Sequence, residues 1–308
     1  MFEMAVIDWK VLLLVSGLAF APVIFWLWYF YRKDLEPEPL YVIRNCFLAG
    51  VVIVIPAAIL EQLAFNGGVV ILTVFVAPVV EECLKFAACY IVAYKGPNFD
   101  EPMDGVICAV AVALGFASLE NVMFLYQAYQ QGTDVLSITT LIRAFFTVPG
   151  HALFAVMWGY ALGKAKFSDL DTARSLILKG LALGIAVHAA FNCLSIFIPA
   201  WALGMLIYIP VVWGIANRKI GESIESSPHR AKKEFGTKLE AFKKSLVGEA
   251  DSGQWYQNRF AVVLLLFFLF FPVGLYALYK NTTFSKPEKV SYLVLWLLWI
   301  GIVSFRPA

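Results

Sequence analysis

An all-α polytopic transmembrane helix bundle is the architecture this amino-acid sequence predicts. Of its 308 residues, 61% are hydrophobic and 15% charged, and the mean hydropathy is +0.76. A soluble core of ordinary composition cannot hide that much apolar surface. The apolar residues also gather into continuous runs near the roughly 20 residues a helix needs to cross the hydrocarbon. Transmembrane β-strands would be short and alternating, and these runs are neither.

Nine runs follow in order. The first, 11–31, is too long for a signal-peptide core, has no basic stretch before it, and ends at Arg32-Lys33 without a small-residue cleavage pattern. It therefore reads as a retained helix. Runs at 40–60, 69–94, 103–127, 139–163, 176–197 and 200–217 complete a seven-helix core within 1–217. The stretch 218–258 is polar and long for a connection inside a bundle. Within it, Phe235, Leu239, Phe242 and Leu246 share one face of a basic amphipathic helix suited to anionic headgroups. A solvated linker fits the same composition. Runs at 260–279 and 290–305 make a C-terminal hydrophobic hairpin within 259–308, transmembrane or re-entrant, because Phe271-Pro272 interrupts the first of them.

Positive charge sets the orientation. Arg32, Lys33, Lys95, Lys164, Lys166, Arg174, Lys179, Arg218 and Lys219 all fall on one side of an alternating topology, whereas loops 61–68, 128–138 and 198–199 carry no Lys or Arg. The basic loops are expected in the cytoplasm and the N-terminus outside. Lys280, Lys286 and Lys289 fall on the other side, so the first seven helices decide the orientation. The five cysteines lie in apolar runs without Cys-x-x-Cys spacing, which indicates neither a disulfide framework nor a thiolate metal site.

Against this background the ionisable residues stand out. Glu81 and Glu82 lie inside the third run. A charge at bilayer depth costs roughly 2.5 to 3.5 kcal/mol on insertion scales, which makes an intramembrane carboxylate a functional candidate. Lys85 lies over both acids, at i+4 and i+3, and offsets charge. Adjacent glutamates diverge by about 100 degrees, so one can work while the other orients. Glu120 and Asn121 occupy the fourth run, His151 the fifth beside Pro149-Gly150, and His188 with Asn192 the sixth, one turn apart. Ala111, Ala113, Gly115, Ala117 and Ser118 let neighbouring helices approach and turn Glu120 toward protein. Counted from the cytoplasmic ends, Glu82, Glu120, His151 and His188 share a layer about 14 to 27 Å deep at 1.5 Å per residue. Acids and imidazoles in one layer point to activated water and hydrolysis. A proton- or ion-coupled transporter using the buried Glu, His and Lys as a relay is the alternative, although neither an inverted repeat nor paired broken helices are evident.

Five motifs in order strengthen the first reading. They are Glu-Glu-x-x-Lys at 81–85, Asp-Glu-Pro-Met-Asp-Gly at 100–105, Gly-Phe-Ala-Ser-Leu-Glu-Asn at 115–121, Pro-Gly-His-Ala-Leu-Phe with Gly-Tyr-Ala-Leu-Gly at 149–163, and His-Ala-Ala-Phe-Asn at 188–192. Together they resemble the PrsW family of intramembrane proteases, over about residues 10–217, with type II CAAX prenyl-endopeptidases as wider relatives. The wider pattern has histidine where Glu120 stands here. The resemblance implies Glu81 or Glu82 as the water-activating base, His188 and Asn192 near the oxyanion, and His151 as a further catalytic or ligand residue. It also implies a membrane-anchored, anti-sigma-factor-like substrate in the inner (cytoplasmic) membrane. The partners expected are the bilayer and a single-span protein substrate, with no nucleic acid. Two mechanisms stay open: a glutamate acting without a cofactor, or zinc held by His151, His188 and Glu120.

Overall fold

A computed structural model describes residues 8–64, 68–197, 201–230, 235, 259–264, 266 and 271–304. The regular elements among the described residues are all helices, with no strand among them. Two compact units divide the chain, residues 1–236 and 237–308.

In the first unit, α1 spans Trp9–Tyr31 and α2 spans Leu40–Ala64. The third rod, α3, covers residues 69–94 and is mixed. Its α-helical parts are Val69–Ile71 and Ala77–Cys89, with π-helical turns at Leu72–Val76 and Tyr90–Tyr94. Next comes α4 at Pro102–Gln131. The rod α5 covers 133–166, with a π-helical turn at Arg143–Thr147 between Thr133–Ile142 and Val148–Lys166. Helices α6 at Leu170–Phe197 and α7 at Trp201–Glu225 complete the unit. Five helical stretches are long and apolar enough to cross a membrane, namely Trp9–Tyr31, Leu40–Ala64, Pro102–Gln131, Thr133–Lys166 and Leu170–Ile196.

The π turns at Leu72–Val76 in α3 and Arg143–Thr147 in α5 have the same cause. Each precedes a proline, Pro78 and Pro149, which has no N–H and whose ring crowds the carbonyl four residues back. A widened turn relieves the clash: Ala77 N–H reaches Leu72 O and Val148 N–H reaches Arg143 O, both across five residues. The carbonyl of Thr73 would next look to position 78, where proline offers no donor.

Helix α4 is the axis of the unit, buried continuously from Pro102 to Ser118. Small residues permit this. A Cβ at Gly115 would lie 2.0 Å from Phe47 O of α2, and one at Gly105 would lie 2.4 Å from Gly159 O of α5. Backbones that close exclude any side chain, which is how membrane helices gain dispersion contact. The turn from α4 into α5 runs through Gly132 at φ 125, a left-handed conformation that glycine adopts without cost.

One end of the unit gathers the loops with basic residues. Tyr41 Oη donates to Asn98 at 3.1 Å, Lys166 Nζ to Tyr94 O at 2.6 Å, and Lys164 Nζ lies 3.7 Å from a Glu222 carboxylate.

The second unit contains α8 at Arg259–Leu264, α9 at Phe271–Lys280 and α10 at Lys286–Ser304. Within the eighth run read from the sequence, α9 starts at Phe271-Pro272, where proline suits a helix N-terminus. Asn281 Oδ1 accepts from the backbone of Thr283 and Phe284 at 2.7 and 3.2 Å and stops α9. Leu239, Phe242 and Leu246, expected on an amphipathic helix, lie outside the described residues.

Candidate active site

Four helices bring their polar residues to one place. On α3, Glu81, Glu82 and Lys85 are all buried, Glu82 and Lys85 completely. Lys85 Nζ donates to Glu81 Oε2 at 2.8 Å and to Glu82 Oε1 at 3.0 Å, the i+4 and i+3 contacts expected of this spacing. It also lies 3.1 Å from His151 Nδ1 of α5 and 4.2 Å from the centre of the Phe116 ring of α4. An ammonium has only donors, so Nδ1 of His151 accepts and Nε2 keeps the proton. That Nε2 lies 3.1 Å from Glu120 Oε2 of α4.

Glu82 is fully engaged. Oε1 takes Lys85 and His188 Nδ1 at 2.9 Å, and Oε2 takes Trp158 Nε1–H at 2.9 Å. A carboxylate only accepts, so His188 donates from Nδ1 and Nε2 is left as the free ring nitrogen. The His188 ring is stacked on Phe154 with centroids 4.7 Å apart and meets His151 edge-on at 5.5 Å. Glu81 is the less committed acid: among the described residues its carboxylate accepts from Lys85 alone, with His151 Nδ1 at 4.0 Å.

Asn192 does not reach toward the imidazoles. Its Nδ2 donates at 2.8 Å to Thr73 O, the carbonyl that Pro78 leaves without a helical donor. Glu120 and Asn121 are likewise spoken for. Arg143 Nη2 donates to Glu120 Oε2 at 2.6 Å and Arg143 Nε to Asn121 Oδ1 at 2.5 Å.

A metal is the second chemical possibility for such a donor set. The expected trio of His151, His188 and Glu120 is not the one assembled. The ligand atoms within 4.8 Å of one another belong to Glu81, His151 and His188, since Glu120 is held by Arg143. Two imidazoles and a carboxylate are a donor set typical of catalytic zinc, so the residue types fit. The Lys85 ammonium lies among the same atoms, 2.8 Å from Glu81 and 3.1 Å from His151, and a metal would have to take its place.

Sequence reasoning missed two members. Arg143 was visible as a lone cation within an apolar run. Trp158 carried no such signal, because only the packing of α5 on α3 shows that its N–H meets an acid.

Comparison with known proteins identifies the family. The profile of the PrsW family intramembrane metalloproteases matches residues 38–215. A Protease PrsW of Geobacillus kaustophilus is 32% identical over 208 residues, 66% of this chain and 89% of the relative. That of Bacillus subtilis is 34% identical, over 65% and 90% respectively. A more distant one, from Clostridioides difficile, is 27% identical over 237 residues, 74% of this chain and 97% of the relative. No solved structure matches the chain significantly. The relatives are named as proteases, which does not favour a transporter. A matched segment that contains Glu81, Glu82, Glu120, His151 and His188, in a chain whose described residues include five helices long and apolar enough to span a membrane, leads to one conclusion: the chain belongs to the PrsW family of intramembrane proteases and is a multi-pass membrane endopeptidase.

Proposed function

We propose that Glu81 is the base that activates water for hydrolysis of a membrane-anchored protein, and that the other groups hold it, its charge and the imidazoles in place. The observation that carries this reading is the unequal commitment of the paired acids. Glu82 spends its oxygens on Lys85, His188 and Trp158, whereas among the described residues Glu81 accepts a hydrogen bond from Lys85 alone.

Peptide hydrolysis needs a base, a donor for the tetrahedral oxyanion and an acid for the leaving amine. The Glu81 carboxylate takes a proton from water as the water oxygen bonds to the carbonyl carbon. The charge of the developing oxyanion is offset by Lys85, because the amide of Asn192 is held by Thr73 O, while the unprotonated Nε2 of His188 accepts a hydrogen bond from the attacking water. Collapse breaks the C–N bond, and protonated Glu81 returns its proton to the leaving nitrogen. Glu82 orients His188 through Nδ1. Glu120, Arg143 and Asn121 orient His151.

The trio of Glu81, His151 and His188 supports a second reading. Zinc there would lower the pKa of bound water to about 7 and polarise the carbonyl. Glu82 and Glu120 would then hold the distal nitrogens of the two ligand rings.

The substrate class follows the resemblance: membrane-anchored anti-sigma factors with a single span, cut in the cytoplasmic membrane. The N-terminus is assigned to the outside and the basic loops to the cytoplasm. The catalytic core is assigned to 1–217, the basic linker to 218–258 and a hydrophobic hairpin to 259–308.

Cleavage of a co-expressed single-span substrate tests the assignment. Glu81→Gln, Glu82→Gln and His188→Ala are each expected to abolish cleavage at unchanged protein level, and cleavage retained in all three rejects it. Stoichiometric zinc in the purified protein, with activity lost to chelation and restored by zinc, moves the reading from a free to a metal-bound water.

A further inference from the structure

A second group of acids lies at the basic end of the first unit, where α1 leaves off and α4 begins. It is well separated from the site above: Asp104 and Glu120 are sixteen residues apart on one helix, about 24 Å at 1.5 Å per residue. Local chemistry accounts for one of its members. Pro102 opens α4, and Asp104 reaches back so that Oδ2 accepts from the N–H groups of Asp100 at 2.8 Å and Glu101 at 2.7 Å. That is an ordinary use of an acid in the first turn. It leaves Asp104 Oδ1 and does not account for the acids beside it.

Asp34, Glu101 and Asp104 each offer an oxygen within 4.8 Å of the other two, and the residues are 1%, 1% and 2% exposed. Neither carboxylate oxygen of Glu101 has a hydrogen-bond partner among the described residues, and Oε1 of Glu38, 3% exposed, has none either. Buried carboxylates without donors are costly, and native structures relieve them with a cation, a proton or a bonded partner. The buried acceptor oxygens of this group thus outnumber the donors that the described residues offer them.

From this geometry we infer that Asp34, Glu101 and Asp104, with Glu38 beside them, bind a divalent oxygen-preferring cation of the magnesium or calcium class. All the donors are oxygens, which suits these hard ions and distinguishes the group from the imidazole-bearing site. Magnesium at 2.0–2.1 Å keeps ligand oxygens within about 4.2 Å, and calcium at 2.3–2.6 Å allows about 5 Å, so a 4.8 Å limit admits both. Asp100 and Pro102, on either side of Glu101, line an open cleft beside the group. The bound ion ties the end of α1 to the start of α4, the two helices joined at this end through Asp34 and the Glu101 turn. It acts on the assembly of the bundle and makes no contact with the reacting atoms.

The test uses full-length protein in detergent, stripped with chelator, in four forms: wild type, His188→Ala, Glu101→Gln and Asp34→Asn. Magnesium and calcium chloride are titrated separately while thermal unfolding is followed, and equilibrium dialysis counts bound ion. Wild type and His188→Ala are both expected to bind about one ion and to gain about 5 °C or more at saturation. Glu101→Gln and Asp34→Asn should lose that gain, yet melt no lower than wild type in chelator, because each removes a buried charge. Which ion acts identifies the cation. The inference is overturned if neither ion binds saturably to wild type, or if Glu101→Gln keeps the full response. It is equally overturned if the response disappears with His188 alone, which would place the ion in the other site.

Discussion

Lys85 sets the charge balance in the membrane interior, and two residues unremarked in the sequence complete it. One ammonium touches two carboxylates and an imidazole nitrogen with no exposure to solvent. A second cation, Arg143, is needed because Glu120 is a third acid in the same layer. Removing one partner of such a pair leaves a buried charge uncompensated, at a cost of about 3–5 kcal/mol, whereas removing both costs much less. Arg143→Met is therefore expected to destabilise the protein by about that amount, and Arg143→Met with Glu120→Gln to recover most of it, read by unfolding in detergent. Additive losses would contradict the pairing. Trp158 is a positioning residue that acts through Glu82 on His188. Trp158→Phe keeps an aromatic ring and removes the N–H, so cleavage should fall about 10- to 100-fold. The fall is expected in kcat with KM unchanged. A change confined to KM would show that the indole serves substrate packing instead.

Among elements, the prolines explain more than the hydropathy does. Run boundaries at 40–60 and 103–127 mark apolar cores, while the helices continue to Ala64 and Gln131 because exposed polar turns extend a helix without raising hydropathy. The π turns at Leu72–Val76 and Arg143–Thr147 could be anticipated only as disturbances near Pro78 and Pro149. Which carbonyl each would free, and what would answer it, depends on the neighbouring helix. At α3 the answer is Asn192, whose amide sits on Thr73 O and so pins α6 against the acid-bearing rod. Glu81, Glu82, His151 and His188 were legible because ionisable groups are rare in lipid and share a depth. The partner of Asn192 was not, since a backbone carbonyl leaves no trace in a sequence. Pro78→Ala restores an N–H that competes for Thr73 O. The expected result is equal or higher thermal stability with reduced cleavage, measured on the same preparation; full activity would mean that the Asn192 contact does not hold the site.

At the scale of the whole molecule, the bundle sorts its loops by charge. The ends of α1, α3, α5 and α7 meet at one face, tied by Lys166 to Tyr94 O, by Lys164 to Glu222 and by His229 to Glu36 and Asp100. The turn between α4 and α5 holds no Lys or Arg from Ala128 to Ile138 and starts the other end. Basic loops are retained on the cytoplasmic side during insertion, so the proposed orientation places Ser226 inside and Gln130 outside. Both positions are exposed, and the five native cysteines are buried or half-buried. A membrane-impermeant thiol reagent applied to intact spheroplasts should therefore label Gln130→Cys and reach Ser226→Cys only after lysis. The reverse pattern would invert the orientation and place the acidic group of Asp34, Glu101 and Asp104 outside. That group would then face the external ions instead of the magnesium-rich cytoplasm. Topology and ion preference are thus linked through the same end of the bundle: a cytoplasmic face predicts that magnesium gives the larger stabilisation at the concentrations the site experiences.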